Sequence, residues 1–256
     1  MPRILIVESN PRELSASVAA QTGATLAGLY EAALASIDAS ATIEFISPYD
    51  RDPTPDMAAF DGVAFTGSMV EWNTDDERAA PLAEVMRAAF AAARPVIGSC
   101  NGMQLAASVL GGSSSASPNG REDGMATGIS LTDAGRAHPM MAGRCDGFAV
   151  PCTHRDEVVR LPDGAVRLAG NAHSEVQAFA IERDGIDFWG MQYHPEFSPA
   201  WLGCYLGGMG RVPPQLAGDL MLAGSDADAA ARLSTSPDEQ GDAVRMLELR
   251  NWMARL

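Results

Sequence analysis

Two short stretches of the chain carry residue types at spacings that suit nucleophilic catalysis. The first is Gly98-Ser99-Cys100-Asn101-Gly102, which follows the apolar run Pro95-Val96-Ile97 and leads into a helical pattern from Gln104 to Leu110. A strand that turns sharply into a helix presses backbone against backbone, so side chains at both glycine positions would clash. The residue between them is forced into a strained conformation with its side chain presented above the sheet. Cys100 would then stand at a helix N-terminus, where the dipole favours a thiolate. Free cysteine titrates near pH 8.5, and sites of this kind lower that to roughly 3.5–7.5. The second stretch is Gln192-Tyr193-His194-Pro195-Glu196. In extended chain, residues two apart point to the same side. His194 and Glu196 can therefore meet across Pro195, whose ring limits the backbone between them. The carboxylate would bind one ring nitrogen and leave the other for a thiol, which is a general base held by an orienting acid.

The remaining candidates read as structural. Cys145, Cys152 and Cys204 form no C-x-x-C pair and read as small buried hydrophobes. His138, His154 and His173 have no acidic partner at comparable spacing, and no pair of histidines has the spacing of metal ligands. Neither a metal nor a cofactor is expected. The formal charge of −15 repels phosphate backbones and anionic lipid, so nucleic acid and membrane are poor partners. All 18 basic residues are arginines, which excludes a P-loop lysine and Schiff-base chemistry. No apolar run reaches 18 residues, and Met1 to Glu8 lacks the features of a signal peptide, so a cytoplasmic location is expected.

Cys100 and His194 lie 94 residues apart, so only a fold can unite them. Strands are predicted at 3–8, 42–46, 62–66 and 95–97, with helices at 24–37, 76–93 and 104–110 between or after them. That alternation predicts a parallel, doubly wound α/β sheet with helices on both faces. A polar Gly/Ser stretch, 111–120, follows. Strands then come in succession at 126–131, 147–150, 165–168, 176–181 and 187–192, which suggests an antiparallel extension. Beyond Trp201 the pattern is helical, ending in one helix from Asp242 to Leu256. The expected division is a domain over 1–205 and a helical extension over 206–256 packed on it.

Together, Gly98 to Gln104 and Gln192 to Glu196 resemble the signature of the class I glutamine amidotransferases. The resemblance runs over roughly residues 1 to 200 and takes in Asp61 to Ser68, Gly111-Gly112 and Cys152 to Val158. It implies a flavodoxin-like fold and a triad of Cys100, His194 and Glu196. Cys100 would attack the side-chain amide of glutamine and form a γ-glutamyl thioester, and water activated by His194 would release glutamate. The resemblance places the oxyanion at the backbone of Gly67 and Asn101. It places the amino-acid end of the substrate at Gln104 and the Arg155-Asp156 backbone, with Ser68 close by. Ammonia would pass to an acceptor synthase, because nothing here resembles an ATP-using domain. Two departures stand out: Thr66-Gly67-Ser68-Met69 replaces a Gly-Gly-Pro or Pro-Gly-Pro turn, and Ser99 and Asn101 flank the cysteine where larger apolar residues are common. These make the chain more like stand-alone members than the components of biosynthetic complexes. The alternatives are a γ-glutamyl hydrolase or peptidase with the same thioester chemistry, and a binding module whose triad is silent.

Overall fold

The computed structural model describes all 256 residues. Its eleven strands are β1 (Arg3–Val7), β2 (Thr42–Ile46), β3 (Gly62–Phe65), β4 (Pro95–Ser99), β5 (Ser113–Ala116), β6 (Glu122–Leu131), β7 (Phe148–His154), β8 (Asp156–Arg160), β9 (Val166–Gly170), β10 (Ala178–Arg183) and β11 (Ile186–Met191). The helices are α1 (Arg12–Thr22), α2 (Leu26–Ile37), α3 (Ala80–Ala91), α4 (Asn101–Val109), α5 (Asp133–Ala137), α6 (Pro199–Gly208), α7 (Pro214–Leu222), α8 (Ala227–Arg232), α9 (Pro237–Gln240), α10 (Asp242–Arg245) and α11 (Leu247–Met253). No helix is long and apolar enough to cross a membrane.

Nine strands form one sheet in the order β2-β1-β3-β4-β11-β10-β9-β6-β7. The first five are parallel to one another, in the 2-1-3-4-5 order of flavodoxin-like sheets. The other four continue the sheet antiparallel from β11. Alternation in β1 sends Ile4 and Ile6 to one face and Leu5 and Val7 to the other. The first face is covered by α2 and α11, the second by α3 and α4. Both faces are buried, which is why these strands read as nearly unbroken apolar runs.

Four of the five parallel strands lie where the apolar runs predict them. Strand β11, expected within the antiparallel extension, instead pairs parallel with β4, β8 has no predicted counterpart, and three further features differ from expectation. Ser113–Ala116, inside the polar Gly/Ser stretch, pairs as a strand with Asp156–Arg160 in a separate two-stranded sheet. A run of serines carries no hydrophobic alternation, so nothing local announces it. The helix expected from Asp242 to Leu256 is two short helices, α10 and α11, broken at Met246. Cys145 and Cys204 are exposed rather than buried; of the three expected to be inert core thiols, Cys152 alone is inside.

The C-terminal helices share the core. Trp252 of α11 is wholly buried and lies over Gly62 of β3, where a Cβ would stand 2.7 Å from its ring. Helices α6 and α7 join α1 in a smaller apolar cluster through Leu202, Leu206, Leu220 and Val18.

Candidate active site

The carboxyl ends of β1, β3, β4 and β11 converge where open α/β sheets place their ligand sites. Thr66, just past β3, accepts a hydrogen bond from the Ser9 amide at 2.9 Å, and its carbonyl accepts from Ser9 Oγ at 3.0 Å. These bonds tie the ends of β1 and β3 together.

At the end of β4 the chain turns into α4 on Cys100, whose φ of 49° and ψ of −103° are among the least favourable available to a residue with a Cβ. Holding such a conformation costs on the order of 1–3 kcal/mol, and the surrounding structure must impose it. The glycines are what permit the bend. A Cβ on Gly98 would come within 2.6 Å of the Gly102 carbonyl carbon, and one on Gly102 within 2.7 Å of the Phe65 carbonyl oxygen. Both obstacles are backbone, which cannot give way. Cys100 is 5% exposed, and its thiol points to the carbonyl of Thr153 at 3.8 Å. Behind it, α4 opens with Asn101, so the first amides of the helix have no intrahelical acceptor.

His194 follows β11, and its amide donates to Pro151 O at 2.8 Å. Nδ1 lies 2.7 Å from Glu196 Oε1, and both side chains are 1% exposed. The carboxylate accepts, so Nδ1 donates to it and Nε2 is the nitrogen left free of Glu196. Nε2 is buried and has no hydrogen-bond partner. Burial pushes the ring's pKa down, but the charge of Glu196 and the neighbouring Cys100 outweigh it and leave the ring raised above its ordinary value. Phe197 stacks on the imidazole with centroids 4.0 Å apart and planes within 5°. Gly67 meets it edge-on: a Cβ there would be 2.5 Å from Cε1.

The other oxygen of Glu196, Oε2, accepts from Ser99 Oγ at 3.2 Å, and Ser99 Oγ lies 2.8 Å from Tyr30 Oη. The loop carrying the histidine is also fastened from the C-terminal helices. Arg245 donates to the carbonyls of Pro195 and Phe197, the latter at 3.0 Å. Tyr193 Oη donates to Glu248 at 2.7 Å, and Glu248 forms a fully buried pair with Arg144 at 2.8 Å.

Cys100 opens into a cavity of about 960 Å³. Ser68, Gln104, Arg155 and Asp156, predicted for substrate, line it, as does Asn101, predicted for the oxyanion; Gly67 is not in the lining. Gln104 Nε2 donates to Asp156 O at 2.6 Å and to Gln192 Oε1 at 3.2 Å, which locks the side chain across the cavity wall. Arg155 grips the Asp156 carboxylate with Nε and Nη2, each at 2.8 Å. The Ser68 hydroxyl is already engaged with Ser9 O and Asn10 Oδ1, so it braces the loop.

Sequence reasoning did not find Ser99 and Tyr30, the stacking Phe197, the clasping Arg245 or the cavity residues Arg121, Trp72 and Tyr205. Ser99 leaves a signal, a hydroxyl where an apolar residue is usual; Arg245 leaves none. Nor does spacing reveal that Glu122, 32 positions from His154, is that histidine's acidic partner at 2.9 Å, with His173 beside them. Burial opposes the charge on Glu122, yet hydrogen bonds from His154, Asn171 and Gln177 hold its carboxyl below the usual range.

A sequence model of the class-I glutamine amidotransferases matches residues 31–204, and the chain belongs to that family of enzymes. Among curated proteins, it is similar to a gamma-glutamyl-L-1-hydroxyisopropylamide hydrolase of a Pseudomonas species. Identity there is 38% over 205 residues, covering 77% of this chain and 68% of that protein. It is also similar to the glutamine-hydrolyzing GMP synthase of Thermomicrobium roseum, 38% identical over 109 residues, which covers 43% of this chain and only 19% of that longer relative. Among solved structures, a glutamine amidotransferase from Thermotoga maritima superposes with a TM-score of 0.68 at 17% identity, covering 99% of this chain and 97% of that one. At that identity the likeness speaks for the fold.

Proposed function

We propose that the chain hydrolyses the side-chain amide of glutamine through a thioester on Cys100, with His194 as base and Glu196 as its orienting acid, and delivers ammonia to an acceptor synthase. One observation carries this reading. A cysteine held in a strained elbow stands beside an imidazole whose Nε2 has no other partner and whose Nδ1–H is fixed on a buried carboxylate.

The ring's raised pKa favours a proton on Nε2, and the attacking species is the Cys100 thiolate paired with that imidazolium. The thiolate attacks the γ-carbonyl carbon and pushes the π electrons onto oxygen. The amides of Gly67 and Asn101 receive that oxyanion, each worth roughly 3–4 kcal/mol by comparison with measured donors. The intermediate collapses as the imidazolium gives its proton to the departing nitrogen, which leaves as ammonia. Water then loses a proton to His194 Nε2 and attacks the thioester, and glutamate departs with the thiolate restored. Gln104 and the Arg155-Asp156 backbone hold the amino-acid end.

A second reading, hydrolysis of a larger γ-glutamyl amide, is favoured by the cavity. At about 960 Å³ it lies at the top of the roughly 300–1,000 Å³ range of small-molecule pockets. Leu14, Trp72, Tyr205 and Met209 give its lining an apolar part. The hydrolase relative bears a name of that kind. The test is glutamate release from glutamine, γ-glutamyl ethylamide and γ-glutamyl dipeptides by wild type and Cys100→Ala, with ammonia measured for glutamine. Activity that survives in Cys100→Ala would refute the thioester. A preference for the amides over glutamine would replace the first reading with the second.

A further inference from the structure

Glu196 is 5% exposed, and its carboxylate lies on the side of the sheet covered by apolar side chains. A carboxylate cut off from water must find donors for both oxygens. Oε1 has the imidazole N–H; Oε2 has Ser99 Oγ at 3.2 Å. Since the carboxylate can only accept, Ser99 donates to it, and the Tyr30 hydroxyl at 2.8 Å must donate to Ser99. The directions form one chain of donors, Tyr30 to Ser99 to Glu196, with the His194 N–H arriving from the other side. Burial, and next the charge of Glu196, push the Tyr30 hydroxyl well above its ordinary range, so it remains a donor throughout the working pH range.

The sheet explains how these groups meet. Alternation along β4 puts Ser99 on the same face as Ile97, toward α2, where Tyr30 is wholly buried among Ala27, Ala33 and Leu34. A serine at this place has no packing reason, because its neighbours are apolar. Its two hydrogen-bonding partners are the tyrosine and the acid.

We propose that Ser99 and Tyr30 are positioning residues for the reaction, a two-hydroxyl relay that fixes the free oxygen of Glu196 and through it the ring of His194. The idea rests on the proposed triad and adds to it. Without the relay the carboxylate can rotate about its last torsion. It then supports the imidazolium less, and the ring's raised pKa falls back toward the ordinary histidine value. The other charged groups facing this centre are Cys100 from the elbow and Arg245 from α10, with Glu248 of α11 acting on Tyr30; none of them changes in the Ser99 and Tyr30 variants below.

The experiment compares wild type, Ser99→Ala, Ser99→Thr, Tyr30→Phe and Cys100→Ala. The readouts are steady-state glutamate release from pH 5 to 10 and site-resolved alkylation of Cys100 by iodoacetamide over the same range. Ser99→Ala is expected to lower kcat about tenfold with KM within about twofold, since a hydrogen bond to a charged group is being removed. The alkaline limb of kcat/KM, where the imidazolium loses its proton, should move down by about 0.5–1 pH unit. Tyr30→Phe should shift it less in the same direction, and Ser99→Thr should restore wild-type behaviour. An unmoved limb in Ser99→Ala, or a loss confined to KM or to thermal stability, would overturn the relay. Alkylation separates this from the proposed function: a profile that shifts with Ser99→Ala while no γ-glutamyl compound is cleaved keeps the relay and rejects the substrate reading. Hydrolysis surviving in Cys100→Ala rejects the triad itself, and the relay with it.

Discussion

Gly67→Ala is the most informative single change, because a methyl group there collides with His194, the proposed base, and with nothing else. Its Cβ would stand 2.5 Å from His194 Cε1 and 3.4 and 3.5 Å from the two ring nitrogens. Near-equal distances to the nitrogens put the methyl beyond the Cε1 edge, in the plane of the ring, pressing it backward. To recover a 3.4 Å contact the imidazole must retreat by about 0.9 Å (3.4 minus 2.5), sliding along the face of Phe197. That is enough to break the 2.7 Å bond to Glu196 or to carry Nε2 away from the sulfur. Misplacement of about 1 Å costs roughly 100-fold in rate, equivalent to about 2.7 kcal/mol of barrier. Gly67 is not at positive φ, so alanine strains no torsion there. The overpacking should lower stability by about 1–3 kcal/mol, or a few degrees in Tm per kcal/mol. The assay is kcat/KM for glutamate release well below the melting temperature, with a thermal melt alongside. A variant within threefold of wild type would refute the edge-on contact. A lost fold, in place of a lost rate, would refute the claim that the damage is local.

Other outcomes follow from groups described above. Glu248→Gln leaves Arg144 charged and buried without its partner; removing one half of such a pair costs about 3–5 kcal/mol, so a melt should show a fall on the order of 10 °C. Gly98→Ala and Gly102→Ala meet rigid backbone and should give little soluble protein, whereas Gly218→Ala, with open space around it, should express and melt like wild type. His194 has its folded pKa raised, so the stability it contributes is complete below the ordinary histidine value and is lost as pH climbs through the raised one. Melts from pH 7 to 10.5 should therefore fall less steeply in His194→Asn. Glu122 has its folded pKa depressed, so its contribution holds above the ordinary carboxyl value and is lost as pH falls through the depressed one. Glu122→Gln should flatten the acid side of the stability curve, and an unchanged acid slope would count against this. We also propose that residues 206–256 belong to the same folding unit as the rest. A chain ending at 205 lacks Trp252 over Gly62 and should fail to melt cooperatively; an intact sharp transition would contradict it.

What can be read without the fold divides along the range of the forces involved. The parallel strands are legible because both faces are buried, which leaves apolar runs such as Ile4 to Val7 that no loop would carry. The elbow is legible because part of its constraint is local: a side chain at Gly98 would meet the backbone of Gly102 four residues on, although the obstacle at Gly102 is Phe65 from the neighbouring strand. The His-Pro-Glu pair is legible for the same reason. Thr153, whose carbonyl meets the thiol, Tyr30, two hydrogen bonds from Glu196, and Arg245, which grips the loop of His194 from 50 residues away, act across the fold. Nothing in their own neighbourhoods distinguishes them. The serines of β5 form a strand because β8 offers them an edge, and no propensity of theirs foretells it.

The pairing of β4 with β11 has a consequence for how the molecule becomes reactive. These neighbours align Gly190 with Gly98 and Met191 with Ser99, although 86 residues separate the two strands in the chain. A slip of one position would reverse which side of the sheet each side chain faces, and the imidazole would leave the sulfur. On the proposed chemistry, a reactive thiol at position 100 is thus a certificate of correct assembly, since the sulfur meets the imidazole only when the last parallel strand has docked in register.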